Sequence, residues 1–257
     1  MPGDFPKAVV FDVDGTLVDS ERDGHRIAFN LAFEEFDLPF YWDEEQYGYW
    51  LGISGGKSRL RAFLSHQANS GFDQKDYENL IIDLHNKKTE IFQDLVSKGS
   101  IKARFGVLRL LEELQNNGID LAIATTGSRS WVEELLAKEF KSIDFKVIVT
   151  GQDVKQTKPD PQVYRQVKQL LDLSIDQIIV IEDSAIGIQA SKAVQLSTIA
   201  VANFYTIKEN LTQADLVVDG FGDMLNKVSV LYDPLGINPN FINLDCMKKL
   251  LNFKLTN

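Results

Sequence analysis

Short apolar runs recur along the chain, and the strongest of them end in a polar or acidic residue. Residues 7–11 (KAVVF) lead straight into Asp12. Residues 119–125 (IDLAIAT), 146–150 (KVIVT) and 177–181 (QIIVI) repeat the pattern, and 196–201 and 216–218 are weaker versions. Runs this short and this apolar predict parallel strands buried on both faces. Between them lie amphipathic helical patterns at 107–116, 130–140, 161–171 and 185–194. Alternation of strands and helices predicts an α/β core, a Rossmann-like open parallel sheet with helices on both faces. Gly118 after LQNN reads as a helix C-cap, and Asp160-Pro161 as an N-cap followed by a first-turn proline.

The stretch 20–99 breaks this rhythm. Its apolar residues follow helical spacing, as at Ile27, Leu31 and Phe36, at Leu60, Phe63 and Leu64, and from Leu80 to Leu95. It predicts an all-helical insertion of four or five helices, placed directly after the first strand. In an open α/β sheet the ligand site lies beyond the C-terminal ends of the strands, so such an insertion is placed to serve as a cap. The expected division is a discontinuous core of residues 1–19 and 100–235, a helical cap of residues 20–99 and a tail of residues 236–257. Within the tail a short docking helix is expected around 245–253.

The chain has 257 residues, 44% apolar and 25% charged. These proportions are ordinary for a globular protein. No apolar run is long enough for a membrane span, and the N-terminal stretch has no targeting signature. Cys246 is the single cysteine, which excludes an internal disulfide and suits a reducing cytoplasm. The net charge of −10 disfavours nucleic acid as a partner. It also means that any anionic substrate must be held by a local reversal of sign.

The most informative string is Phe11-Asp12-Val13-Asp14-Gly15-Thr16. Two carboxylates follow a buried strand and precede a glycine turn, so both are candidates to converge on one ligand. A carboxylate can attack phosphorus, and a second can protonate the leaving oxygen and then accept a proton from water. Such a pair calls for a divalent ion, and oxygen ligands suit Mg²⁺. Glu182-Asp183 ends a later strand; alone it would read as a helix N-cap. Thr125-Thr126-Gly127-Ser128 ends another strand and opens a helix, where hydroxyls and N–H groups can hold phosphoryl oxygens. Lys158, in Lys158-Pro159-Asp160-Pro161, can offset the charge on the attacking carboxylate and the phosphoryl group. Each of the last three is weak alone, and the order of all four is what makes the set specific.

With these four motifs the chain resembles the haloacid dehalogenase superfamily of phosphohydrolases, in the form with a helical cap after the first strand. The resemblance implies Asp12 as nucleophile and Asp14 as general acid/base. It implies Thr125 and Lys158 as the other core catalytic residues. It also implies Mg²⁺ bound by Asp12, the Asp14 backbone carbonyl and Asp183, with Glu182 acting through water. The strings around His25, around Lys57 and at Leu84-His85-Asn86-Lys87-Lys88-Thr89 resemble the CbbY-type branch. That branch is similar to enzymes that remove a phosphate from xylulose 1,5-bisphosphate, an inhibitor of the carbon-fixing carboxylase Rubisco. One departure is Phe105, which stands where a proline is expected before Gly106.

A bisphosphate needs a second anion site. Gly55, Gly56 and Lys57 offer N–H groups and a cation, with His25, Arg26 and Arg59 as further candidates. Asp19 is placed to accept hydrogen bonds from sugar hydroxyls, and Thr126 and Ser128 complete the expected binding set. A hexose phosphomutase similar to β-phosphoglucomutase shares the cap type and the core motifs; the Gly-Gly-Lys string favours the phosphatase. A non-catalytic binding protein on the same scaffold is disfavoured because Asp12 and Asp183 are both present. The expected protein is a cytoplasmic monomer acting on a small-molecule sugar phosphate, with no membrane or nucleic-acid partner.

Overall fold

The structure is a computed structural model and describes residues 5–53, 55–67 and 74–256. The chain divides into two units, Met1–Asp19 with Lys102–Asn257, and Ser20–Ile101. Along the chain, strand β1 (Ala8–Phe11) comes first. A π-helical turn (Glu21–His25) then runs into helix α1 (Arg26–Glu35), followed by α2 (Glu44–Leu51), α3 (Gly56–Gln67) and α4 (Gln74–Ser97). The first unit resumes with α5 (Val107–Asn116), β2 (Asp120–Ala124), α6 (Arg129–Glu139), β3 (Phe145–Val149) and α7 (Gln162–Leu171). It continues with β4 (Ile178–Glu182), α8 (Ala185–Lys192), β5 (Ser197–Val201), β6 (Leu216–Val218), β7 (Val230–Tyr232) and α9 (Leu244–Thr256). Among the described residues no helix is long and apolar enough to cross a membrane.

The sheet has the order β3-β2-β1-β4-β5-β6-β7 and is parallel except for the β6–β7 pair. β1, β4 and β5 are buried at every position. Alternate residues pack on opposite faces. Ala8, Val10, Ala122, Ala124, Ile178 and Val180 join Val163, Tyr164, Val167 and Leu171 of α7 in one apolar cluster. Helix α5 buries Val107, Leu110, Leu111 and Leu114, a stripe of helical period. It ends in a Schellman motif: Ile119 N–H donates to Leu114 O at 3.1 Å and Gly118 N–H to Gln115 O at 3.0 Å. Asp160 accepts from Gln162 N–H at 3.0 Å, and the regular helix starts at Gln162, so Pro161 stands one position before the first turn. The antiparallel β7 has no counterpart in the sequence reading. The helix in the tail runs over Leu244–Thr256 and packs Cys246, Met247, Leu250 and Leu251 inward.

The second unit contains helices and no strand among its described residues. Its centre is aromatic. Trp42 meets Phe29 and Phe33 edge-on at 5.0 Å and Phe63 at 4.8 Å. The extra residue of the π-helical turn precedes α1, so Gly24 lies buried against Phe92 and Ile101.

Candidate active site

Strand register brings the motifs together. Phe11 pairs with Ile123 on one side and Ile181 on the other. One residue further on, Asp12 lies beside the end of β2 and beside Glu182, its N–H donating to Ile181 O at 3.0 Å. Thr125 continues β2, its N–H donating to Val149 O at 3.0 Å. These residues lie at or just past the C-terminal ends of parallel strands, where side chains are released to a ligand.

Lys158 is the centre of the site. Its Nζ donates to Asp12 Oδ1 at 2.5 Å, Glu182 Oε1 at 2.6 Å and the Ala124 carbonyl at 2.8 Å. Burial works against the ammonium, but Asp12 and Glu182 outweigh it and hold Lys158 above its ordinary range. Burial raises the Asp12 carboxyl well above its usual range; Lys158 opposes this, and Glu182, Asp183 and Asp14 add to it. Asp183 is raised by burial and by Glu182, with Arg104 and Thr16 pulling the other way.

Glu182 is saturated. Oε1 also accepts from Tyr164 Oη at 2.6 Å, and Oε2 from Asp183 N–H and the Ser184 hydroxyl at 3.1 and 3.2 Å. Ser184 in turn caps α8 by accepting from Gly187 N–H. The helix cap and the acidic site therefore coexist at this strand end, with Ser184 doing the capping. Asp183 accepts from Thr16 Oγ1 at 3.1 Å through Oδ1 and from Asn203 Nδ2 at 2.7 Å through Oδ2. Gly15 has φ +82°, and a Cβ there would lie 2.4 Å from Asp183 Oδ2, so both the turn and the close approach require glycine.

One oxygen from each of Asp12, Glu182 and Asp183 lies within 4.8 Å of the others, and all three residues are buried. At that separation two carboxylates repel by about 3 kcal/mol in an effective dielectric near 20. Lys158 cancels one of the three charges. Two negative charges remain, on hard oxygen donors, which fits a divalent cation. Asp14 is half-buried beside this group and is not part of it.

The other expected site residues separate into kinds. Thr125 is buried, and its Oγ1 accepts from Gly127 N–H at 3.0 Å; Thr126 is exposed and Ser128 half-buried at the start of α6. Asp19 lies 3.5 Å from Arg104 Nε, so its carboxylate is engaged with a guanidinium within its own unit.

In the helical unit, Gly55 and Lys57 are exposed, and Gly56 backs onto the His85 ring, where a Cβ would lie 2.9 Å away. Ser54, part of the same string, lies outside the described residues. Arg59 is buried; it donates to Trp50 O at 3.1 Å and Tyr47 Oη at 2.9 Å and stacks on the Tyr47 ring. Arg26 donates to the carbonyls of Arg22 and Trp42 and to Glu44. These contacts give both arginines a packing role, which the sequence strings do not distinguish from ligand binding.

His25 stacks on Phe92 at 3.8 Å, and its Nδ1 accepts from Lys88 Nζ at 2.8 Å. Burial, then Lys88, Arg59 and His85, hold the imidazole well below its usual range. His85 is likewise lowered by burial, Lys88 and Lys57. Lys57, Arg59 and Lys88 thus gather basic charge around these two imidazoles, in a chain of net charge −10. Lys88 and His85 are absent from the sequence-based site set. Their spacing of three on α4, interleaved with buried Ile81, Leu84 and Phe92, is the signal that marks a polar pair on an inward face. Tyr164, Arg104 and Asn203 are absent from that set too.

The family model for haloacid dehalogenase-like hydrolases matches residues 9–201. The chain belongs to this family. It is 37% identical over 222 residues to protein CbbY of Cereibacter sphaeroides, covering 85% of this chain and 94% of that protein. It is 36% identical over 230 residues to a CBBY-like protein of Arabidopsis thaliana, covering 85% of this chain and 70% of that protein. A crystal structure of a CbbY variant from Rhodobacter sphaeroides in complex with xylulose-(1,5)bisphosphate superposes with a TM-score of 0.68. That match has 37% identity and covers 84% of this chain and 94% of that one.

Proposed function

We propose that this hydrolase is a Mg²⁺-dependent phosphatase that converts xylulose 1,5-bisphosphate to xylulose 5-phosphate through an aspartyl-phosphate on Asp12. The observation that carries the reading is Lys158 clamped between Asp12 and Glu182, with Asp183 adjoining. A nucleophilic carboxylate held by an ammonium, next to two uncompensated negative charges, is the arrangement a phosphate monoester and a divalent cation together complete. The substrate rests on the similarity to CbbY and on the basic group of the helical unit.

In the proposed reaction an Asp12 oxygen bonds to phosphorus as the bond to the sugar oxygen breaks. Asp14 gives that oxygen its proton. Asp14 then takes a proton from water as the water oxygen bonds to phosphorus and the bond to Asp12 breaks, freeing inorganic phosphate. Lys158 fixes the Asp12 carboxylate through Oδ1 and offsets charge that builds on the phosphoryl oxygens. Thr125 supplies a buried hydroxyl at the end of β2. Asp12, Asp183 and the Asp14 carbonyl are the residues proposed to hold Mg²⁺, with Glu182 anchoring Lys158 beside it. The ion, when bound, neutralises charge on the transferring phosphoryl group. Lys57, His85 and Lys88 are proposed to hold the phosphate that is not transferred.

Phosphate release over a panel of sugar mono- and bisphosphates with Mg²⁺ tests the reading. Highest kcat/KM for xylulose 1,5-bisphosphate is the expected result. Isomerisation of a hexose monophosphate without phosphate release, dependent on a bisphosphate activator, would show a phosphomutase instead.

A further inference from the structure

Asn203 lies just beyond the end of β5, and its own loop decides which way its amide faces. Oδ1 accepts from the N–H groups of Tyr205 at 2.8 Å and Thr206 at 3.0 Å. The Thr206 hydroxyl accepts from Asn203 N–H at 3.1 Å. With the amide oxygen committed to two backbone donors, the NH₂ group is directed the other way. Nδ2 donates to Asp183 Oδ2 at 2.7 Å and to the Gly15 carbonyl at 3.2 Å. The same carbonyl accepts from Arg104 Nη1, whose guanidinium also bonds the carbonyls of Val201 and Ala202.

We infer that Asn203 is a positioning residue for the cation site: it fixes the rotation of the Asp183 carboxylate and ties it to the turn carrying Asp12 and Asp14. The terminal torsion of an aspartate is soft, with a broad distribution. Here Thr16 holds one oxygen and Asn203 the other, so the plane of the carboxylate is set from both sides. The donors are neutral, which matters. A hydroxyl and an amide orient the carboxylate and leave its charge intact. Through Gly15 the same NH₂ group couples the strand end of β4 to the loop after β1. Asp183 and that loop are then presented to the ion as one unit.

The inference rests on the proposed metal site. It is tested on substrate-free protein by following melting temperature against MgCl₂ concentration, since a ligand of the folded state raises the melting point by mass action. Asn203→Ser keeps a side-chain oxygen for the 203–206 turn and loses the donor to Asp183; Asn203→Ala loses both. The Mg²⁺ concentration at which the melting temperature begins to rise is expected to be about tenfold or more higher in both variants, as for other outer partners of metal ligands. The metal-free melting temperature is expected to fall further in Asn203→Ala than in Asn203→Ser. A wild-type Mg²⁺ response in Asn203→Ser, or a requirement that rises only where metal-free stability falls, would overturn the positioning role alone. Absence of any Mg²⁺ response in the wild type would overturn the metal site, and this role with it.

Discussion

Glu182 fills the space that a side chain on residue 187 would need: a Cβ on Gly187 would lie 2.0 Å from Glu182 Oε1. The first turn of α8 is thus built against the carboxylate that holds Lys158. Gly187→Ala must displace one or the other. Breaking a buried ion pair costs about 3–5 kcal/mol. The expected outcome is a fall in kcat of about a hundredfold together with a lower melting temperature. Ile188→Val, one residue on and also buried, serves as the control. It should cost about 0.5–1.5 kcal/mol and keep kcat. Equal kcat in the two variants, measured by phosphate release, would mean that Glu182 does not position Lys158.

The basic group of the helical unit makes a prediction about selectivity. A charge-assisted contact to phosphate contributes roughly 1.5–3 kcal/mol. Lys57→Ala, and Lys88→Met, should each lower kcat/KM for xylulose 1,5-bisphosphate by about ten- to a hundredfold. Methionine keeps an unbranched stem over Phe29 and Phe92 while removing the charge. Hydrolysis of p-nitrophenyl phosphate, which has no second phosphate, should hardly change. Proportional loss with both substrates would make the two lysines structural.

His25 links this group to acid stability. Burial and the neighbouring cations keep its folded-state pKa well below the ordinary value. As pH falls through about 6.5 the unfolded chain takes up the proton first, so the unfolded state binds more protons and stability falls. The group costs nothing above about pH 7 and destabilises progressively below about pH 6.5. Asp12 and Asp183, whose pKa values are raised, act with the opposite sign, so the comparison must be made between variants. Urea unfolding at about pH 7 and about pH 5 should show a smaller acid loss in His25→Gln than in the wild type. An identical loss would contradict the assignment.

Cys246 is 2% exposed in α9, and burial pushes its thiol up to about 12. Near pH 8 it is a protonated thiol, and the thiolate is the reactive form. A chromogenic disulfide reagent should therefore react slowly with the native protein and rapidly after denaturation. Stoichiometric reaction of the native protein on mixing would show that α9 does not bury the thiol.

The residues of the core motifs were readable in advance because each is local: an apolar strand, then a short polar string at its end. Convergence of Asp12 and Glu182 follows once β1 and β4 are neighbours, whereas Lys158 reaches them from the loop between β3 and α7. The residues that hold Glu182 and Asp183 in place were not readable. Tyr164 reaches Glu182 from a helix, and Asn203 reaches Asp183 from the loop after β5; neither stands in a motif string, so only the packing of the elements reveals them. Arg59 sits in the same basic string as Lys57, yet its guanidinium is buried over the Tyr47 ring and the Lys57 cation is exposed. Sequence alone gives no way to separate them. β7 escaped although Val230, Leu231 and Tyr232 are all apolar, because it is three residues long and pairs antiparallel, outside the strand–helix alternation that marks the parallel strands. The π-helical turn escaped because one inserted residue leaves helical periodicity almost unchanged.

The covalent step at Asp12 is tested most directly by rapid acid quench of the enzyme turning over radiolabelled xylulose 1,5-bisphosphate with Mg²⁺. The expected result is label on the protein that survives acid, is released by hydroxylamine and maps to the peptide containing Asp12. Asp12→Asn should carry no label and release no phosphate, with its fold intact by circular dichroism. Near-normal phosphate release from Asp12→Asn, or turnover in the wild type with no protein-bound label at any quench time, would contradict a phosphorylated Asp12.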